Sequence, residues 1–383
     1  MIYLDNGATS WPKPPCVQAE MVRFLAEDAA NPGRAGHRMA IAAEKKLDDV
    51  RGKLDELDRD LDGEGPQRMI LTLNCTDALN IAIRGVLREG DHAITTTLEH
   101  NSVSRPLQTM ADEGFITLPR LPMTDGGFVD PDAIRRAITP KTRLIAITHC
   151  SNVLSTIQPA QEIGRIARER DVLFLLDAAQ SAGLVPISIR SMNVDLLAFP
   201  GHKSLMGPTG TGGLYVGPRA DPRPLRIGGT GGDSASPTQP HLYPYWLEGG
   251  TPNTVGIAGL GAGVDWVDEN GPAATLAHER ALIARLVDAL DGDPRFTILG
   301  ARDWSRRGGA LAITVEGLAP SEVGAILDES FNIAIRPGLH CAPYIHRELG
   351  TFPDGAVRIS PGPFNTPADV DRLADALREM AIG

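Results

Sequence analysis

Five places in the chain gather residues that do chemistry: Cys75 and Thr76, Glu99 and His100, Asn152, Asp177 with Gln180, and the tripeptide Gly201-His202-Lys203. Each follows an apolar run of strand length, and in an open α/β sheet ligands lie beyond the carboxyl ends of the strands. A helix start that can hold an anion, a carboxylate behind a buried strand and a lysine further along are what pyridoxal phosphate requires. In such a site the Lys203 amine holds the cofactor aldehyde covalently. Asp177 keeps the ring nitrogen protonated, and His100 stacks on the ring face.

The elements that must position these residues are legible as periodicity. Apolar runs predict strands over 69–73, 92–98, 142–149, 171–176 and 194–199. Leu79, Ala82, Ile83, Val86 and Leu87 recur at helical spacing, which makes Thr76 the expected N-cap of a helix that can hold an anion. Leu47, Val50, Leu54, Leu57 and Leu61 form an apolar helix stripe, read as a packing face. Strands alternating with helices give an α/β fold with a mostly parallel sheet. Residues 228–252, rich in Gly, Pro and Thr without periodicity, form a long loop of the kind kept for function. Beyond it, helical patterns over 273–290, 321–327 and 367–380 alternate with strand-like 310–315 and 356–360, a smaller α+β unit. Thr366 before Pro367 reads as an N-cap. The expected division is a large domain of residues 15–264 and a small domain of 1–14 with 265–383.

Composition narrows the class. In 383 residues, 42% are apolar and 22% charged, an ordinary folded globular balance. The formal charge of −11 repels phosphate backbones, so nucleic acid is not expected as a partner. Cys16, Cys75, Cys150 and Cys341 lie far apart with no C-x-x-C, which fits a reducing cytoplasm rather than a disulfide framework or zinc ribbon. No signal peptide and no 18-residue apolar run is seen, so export and membrane anchoring are not expected. His149-Cys150 and His340-Cys341 fall short of the three or four convergent ligands a metal needs. The glycine clusters at 207–213 and 228–232 lack the Gly-Lys-Ser/Thr ending of a P-loop and read as turns and a mobile loop. Cys75 and Cys150 read as small buried core residues, Cys75 with a place near the phosphate.

Longer motifs then add a resemblance over nearly the whole chain. They run from Tyr3-Leu4-Asp5-Asn6 through Leu98-Glu99-His100, Thr148-His149-Cys150-Ser151-Asn152-Val153, Asp177-Ala178-Ala179-Gln180 and Gly201-His202-Lys203. Gly250-Thr251-Pro252-Asn253-Thr254 and Arg336-Pro337-Gly338-Leu339-His340-Cys341-Ala342 complete them. This set resembles the class V, fold-type I pyridoxal-phosphate enzymes, and within them the SUF-type cysteine desulfurases and selenocysteine lyases. The resemblance implies a large domain with a mostly parallel seven-stranded sheet, a smaller α+β C-terminal domain, and a homodimer. It makes Lys203 the cofactor lysine, sets Asp177 and Gln180 against the ring, and gives His100 stacking and proton transfer. Cys75, Thr76 and His202 would hold the phosphate, Asn152 would sit beside the ring oxygen and the substrate, and Thr251 would reach the phosphate of the other subunit. Arg358 would take the substrate carboxylate, a task suited to a bidentate guanidinium, with Arg336 as a second substrate contact.

Cys341 would attack the sulfur of bound L-cysteine, leaving a persulfide and releasing alanine. Its short loop, flanked by Gly338 and Pro343 and beside Arg336 and His340, suits a thiolate and lets the sulfur leave, for instance to an acceptor protein. Selenocysteine as substrate stays open, as do epimerase, decarboxylase or hydrolase chemistry on the same cofactor, and a non-enzymatic binding role. Three departures stand out. Pro200 replaces the serine or threonine common in the family, 203–207 is one residue longer than the SUF-type pattern, and Asn101 stands where many members have a second histidine.

Overall fold

Eight strands form the central sheet of the computed structural model, which describes residues 1–33, 36–57, 65–231 and 235–380. Their order is Met69–Thr72, Gly212–Val216, Leu196–Pro200, Leu173–Asp177, Thr142–Thr148, Asp91–Thr96 and Ile116–Thr117, with short Arg120–Leu121 also pairing to Asp91–Thr96. Seven strands thus lie on one path and a short eighth pairs at its side, so the mostly parallel sheet has eight strands where seven were expected. Neighbours from Leu196–Pro200 to Ile116–Thr117 are parallel, while Gly212–Val216 runs antiparallel to both of its partners. The central strands are buried along most of their length, because helices cover both faces; that is why they read as continuous apolar runs.

Alternate residues serve opposite faces. Ile145, Ile147, Phe174 and Leu176 pack in the core cluster that also takes residues of helices Arg38–Leu57, Ala160–Glu169 and Thr254–Asn270. Leu144, Ala146, Leu173 and Leu175 share the other cluster with residues of Cys75–Val86 and Asn101–Asp112. The predicted stripe packs through Leu47, Val50 and Leu54; Leu61 lies outside the described residues. So does Gly232 of the second glycine cluster.

Two expectations are corrected. The N-cap of Cys75–Val86 is Asn74, not Thr76: Asn74 has extended backbone and its side chain accepts from the Asp77 N–H at 2.9 Å. Asparagine is among the strongest N-caps, and the helix starts at the first position it permits. The end of the 207–213 glycine cluster is a strand rather than a turn. A Cβ at Gly213 would sit 2.2 Å from the Phe199 ring, and one at Gly212 would sit 2.8 Å from the Asn74 backbone. These glycines let neighbouring chain approach closely.

A second, antiparallel sheet orders Phe296–Leu299, Leu311–Val315, Ala356–Ile359 and Arg336–Gly338. Helices Pro272–Leu290, Pro320–Phe331 and Pro367–Met380 contribute to its core, and the Thr366 hydroxyl accepts from the Asp369 N–H at 3.3 Å. Ile2–Tyr3 pairs with Ile333–Ala334, and Leu4 is buried in the same core, so the first residues join the last third of the chain. The expected boundary at 264/265 falls inside helix Thr254–Asn270. No described helix is long and apolar enough to cross a membrane.

Candidate active site

A cavity of about 210 Å³ opens at the carboxyl ends of the parallel strands. It brings together Cys75, Thr76, His100, Asn152, Asp177, Gln180, His202, Lys203, Arg336 and Arg358. Strand ends supply most of them: Asp177 closes its strand, and Gly201-His202-Lys203 follows Leu196–Pro200.

At one wall Asp177 is buried, and its Oδ1 accepts from the Ala179 N–H at 2.9 Å and lies 3.6 Å from the Cys75 thiol. Burial raises the Asp177 pKa, while Ala179, the Lys203 ammonium and the Cys75 thiol pull it down. Cys75 is raised far more, first by burial and then by Asp177, and stays a neutral thiol. It is therefore a donor to the carboxylate, not a nucleophile. Lys203 is lowered to about 8, chiefly by burial and next by Arg358, which leaves part of its amine uncharged and nucleophilic near neutral pH.

The start of helix Cys75–Val86 faces the same space. Asn74 caps the Asp77 N–H, and the first helical N–H groups have no intrahelical acceptor, so the helix start that lines the cavity can hold an anion. His202 is neutral, lowered to about 4 by burial and then by Lys203 and Lys13. Its Nδ1 lies 3.1 Å from the Thr9 hydroxyl, and its carbonyl accepts from Lys13 Nζ at 2.8 Å. Gln180 donates to the Gly7 carbonyl at 3.0 Å. Pro200 lines the cavity without an N–H to offer.

Opposite, Arg358 is 2% exposed. Its Nη1 donates to the Asn152 carbonyl at 3.0 Å and its Nη2 to Asp5 Oδ1 at 2.8 Å; its Nε is buried with no partner. The Asn152 side chain donates to the His340 carbonyl at 2.7 Å. His100 caps helix Asn101–Asp112 through its ring, whose Nδ1 accepts from the Ser102 N–H at 3.1 Å. Burial first, then the cations Lys203, Arg336, Arg358 and Arg105, lower its pKa to about 4. Beneath it, Glu99 is fully buried and raised to about 8 by burial, with one oxygen bonded to Thr96 and the other without a partner.

Cys341 does not line this cavity. It sits exposed at the rim, between wall residues His340 and Arg336, whose Nη2 lies 4.0 Å from its sulfur. His340 and Cys341 both take left-handed backbone, φ +50° and +57°, which costs roughly 1–2 kcal/mol per residue. Bonds to the Asn152 side chain and from the Asn101 N–H to the Cys341 carbonyl, 2.7 Å each, offset that cost. Thr251 is also absent from this cavity; it lines another of about 790 Å³ with Arg51 and Glu248. Cys150 is a buried core thiol raised to about 11 by burial.

Three contributors escape a sequence reading: Asp5 on Arg358, Lys13 on the His202 carbonyl, and Ser102 on His100. Asp5 stood in a quoted motif, yet no spacing links it to residue 358. The donor set fits an anionic aromatic aldehyde: an amine, a buried carboxylate, an open helix start and a flanking imidazole in one pocket.

Comparison with known proteins agrees with this geometry. The model of the family described as aminotransferase class-V matches residues 2–373. A probable cysteine desulfurase of Methanothermobacter thermautotrophicus is 33% identical over 389 residues, 99% of this chain and 94% of the relative. One from Pseudomonas aeruginosa is 33% identical over 387 residues, covering 98% and 93%. Among solved structures, the apo cysteine desulfurase of Thermococcus onnurineus superposes with a TM-score of 0.93 at 32% identity, covering 100% of this chain and 95% of that one. The cysteine desulfurase CsdA of Escherichia coli gives 0.87 at 29%, covering 99% and 94%.

Proposed function

The chain belongs to the aminotransferase class-V family, and from that premise we propose that it is a pyridoxal-phosphate cysteine desulfurase that converts L-cysteine to L-alanine and holds the sulfur on Cys341. The observation that carries the reading is Lys203 and Asp177 in one pocket with Cys341 at its rim. Pyridoxal phosphate, when bound, supplies an electron-withdrawing ring that stabilises negative charge at the substrate α-carbon.

The residues of the chain do the rest. Lys203 would anchor the cofactor, Asp177 would keep its ring nitrogen protonated, and the start of helix Cys75–Val86 with Thr76 and His202 would take the phosphate. Arg358, oriented by Asp5 and Asn152, receives the substrate carboxylate, with Arg336 nearby. His100 carries protons at the substrate. The Cys341 thiolate attacks the substrate sulfur, forming an S–S bond; the electron pair of the broken C–S bond stays on carbon, which is protonated and leaves as alanine. Thr251, outside the pocket of its own chain, contributes to the site of a second copy in a homodimer. The large domain spans 15–264 and the small domain 1–14 and 265–383, in a cytoplasmic protein that passes its sulfur to an acceptor.

The test is a single turnover without reductant. Protein loaded with pyridoxal phosphate and given L-cysteine should release up to one alanine per chain and carry one additional sulfur on Cys341, read by alkylation and mass spectrometry. No alanine from L-cysteine refutes the reading.

A further inference from the structure

Two hydroxyls lie between the helix start that faces the anion and the imidazole at the substrate. Thr76 Oγ1 is 2.8 Å from Ser102 Oγ, and Ser102 Oγ is 3.0 Å from His100 Nδ1. The Ser102 backbone N–H also points at that nitrogen, at 3.1 Å. A backbone N–H can only donate, so Nδ1 holds a lone pair and the proton of neutral His100 sits on Nε2. Ser102 thus touches His100 through its backbone and Thr76 through its side chain, at the first turns of two different helices.

We propose that Ser102 is a positioning residue which fixes the His100 ring as its Nε2–H tautomer and ties that ring to the Thr76 hydroxyl, so that an anion at the start of helix Cys75–Val86 is felt at His100. The tie is mechanical and electronic. A phosphate that accepts the Thr76 O–H hydrogen bond leaves the Thr76 oxygen free to accept from Ser102, which turns the Ser102 proton away from His100 Nδ1. Without the anion, Ser102 donates to Nδ1 instead. His100 also keeps its lone pair on the helix cap, and protonation there would place a cation at a helix N-terminus, which the dipole opposes. The low pKa of His100 agrees. The identity of the anion rests on the function proposed above; the tautomer and the link to Thr76 do not.

Solid-state ¹⁵N NMR of histidine-labelled holoenzyme tests this, with the His100 signals assigned by their loss in His100→Gln. The expected spectrum has Nδ1 bare and Nε2 protonated. Removing the phosphate should move the Nδ1 signal of the parent but not that of Ser102→Ala, Ser102→Ala should weaken pyridoxal phosphate binding several-fold, and Ser102→Thr should restore both the response and the affinity. Thr76→Val should move the same signal in the parent but not in the Ser102→Ala background, as coupled residues require. A proton on Nδ1, or a Ser102→Ala protein with parental affinity whose Nδ1 signal still responds to the anion as the parent's does, overturns the proposal. If L-cysteine yields no alanine while Nδ1 still responds to Thr76→Val through Ser102, the desulfurase reading fails and the link stands.

Discussion

Arg358 Nη2 and Asp5 Oδ1 meet at 2.8 Å across 353 positions of chain, which makes the N-terminal segment part of the floor of the pocket. Strand Ala356–Ile359 presents the arginine, and the bridge between Asp5 and Ser360 holds the acid beside it. The guanidinium sits with Gly7 against its face; a Cβ there would come 3.1 Å from Cζ.

Removing Asp5 should therefore act on stability and on substrate binding together. An almost fully buried arginine left without its carboxylate costs about 3 kcal/mol or more. Asp5→Ala is expected to lower the urea midpoint and to raise the KM for L-cysteine about tenfold, the effect of losing roughly 1.4 kcal/mol of carboxylate binding. Asp5→Asn, which keeps an acceptor, should fall between. Unchanged KM in Asp5→Ala would remove Asp5 from the orientation of Arg358.

Lys203 gives a pH dependence with a definite sign. Its amine is lowered from 10.5 to about 8, so between those values the unfolded chain binds a proton that the folded chain has released. Stability then rises with pH through that window, and the buried ammonium costs stability below it. In cofactor-free protein, Lys203→Met should be the more stable form near about pH 7.5, with its advantage shrinking toward about pH 10. A difference that stays constant across urea melts over that range would contradict the assignment.

The cap of helix Cys75–Val86 separates the roles of two residues on either side of Cys75. Asn74→Ala removes the acceptor of the Asp77 N–H and should cost about 1 kcal/mol. Thr76→Ala, two residues along, should change stability by less than about 0.5 kcal/mol while weakening the hold on pyridoxal phosphate. Chemical denaturation of the two variants checks the order; a larger loss in Thr76→Ala would restore Thr76 as the cap.

The strands that carry the chemistry were readable because burial on both faces forces long apolar runs, and the strand-end rule then pointed to His100, Asp177 and Lys203. Gly212–Val216 was not, because the glycines that its neighbours need for close approach look like a turn. Asn74 and Thr76 both suit the cap by residue type, and only backbone geometry chooses Asn74. Asp5, Lys13 and Ser102 act through contacts set by the folded chain, and no periodicity carries such pairings. Cys341 was legible by resemblance, but its place at the rim rather than in the pocket follows from the left-handed turn at His340 and Cys341.

The central claim is sulfur transfer through Cys341, and it is tested most directly by measuring alanine together with sulfide or selenide from L-cysteine and L-selenocysteine, in the parent and in Cys341→Ala. Desulfuration through Cys341 requires alanine from L-cysteine that falls by more than about a hundredfold in the variant. Alanine formation from L-cysteine that is equal in parent and variant, or absent in both, would contradict it; turnover confined to L-selenocysteine and kept in the variant would make the protein a selenocysteine lyase instead.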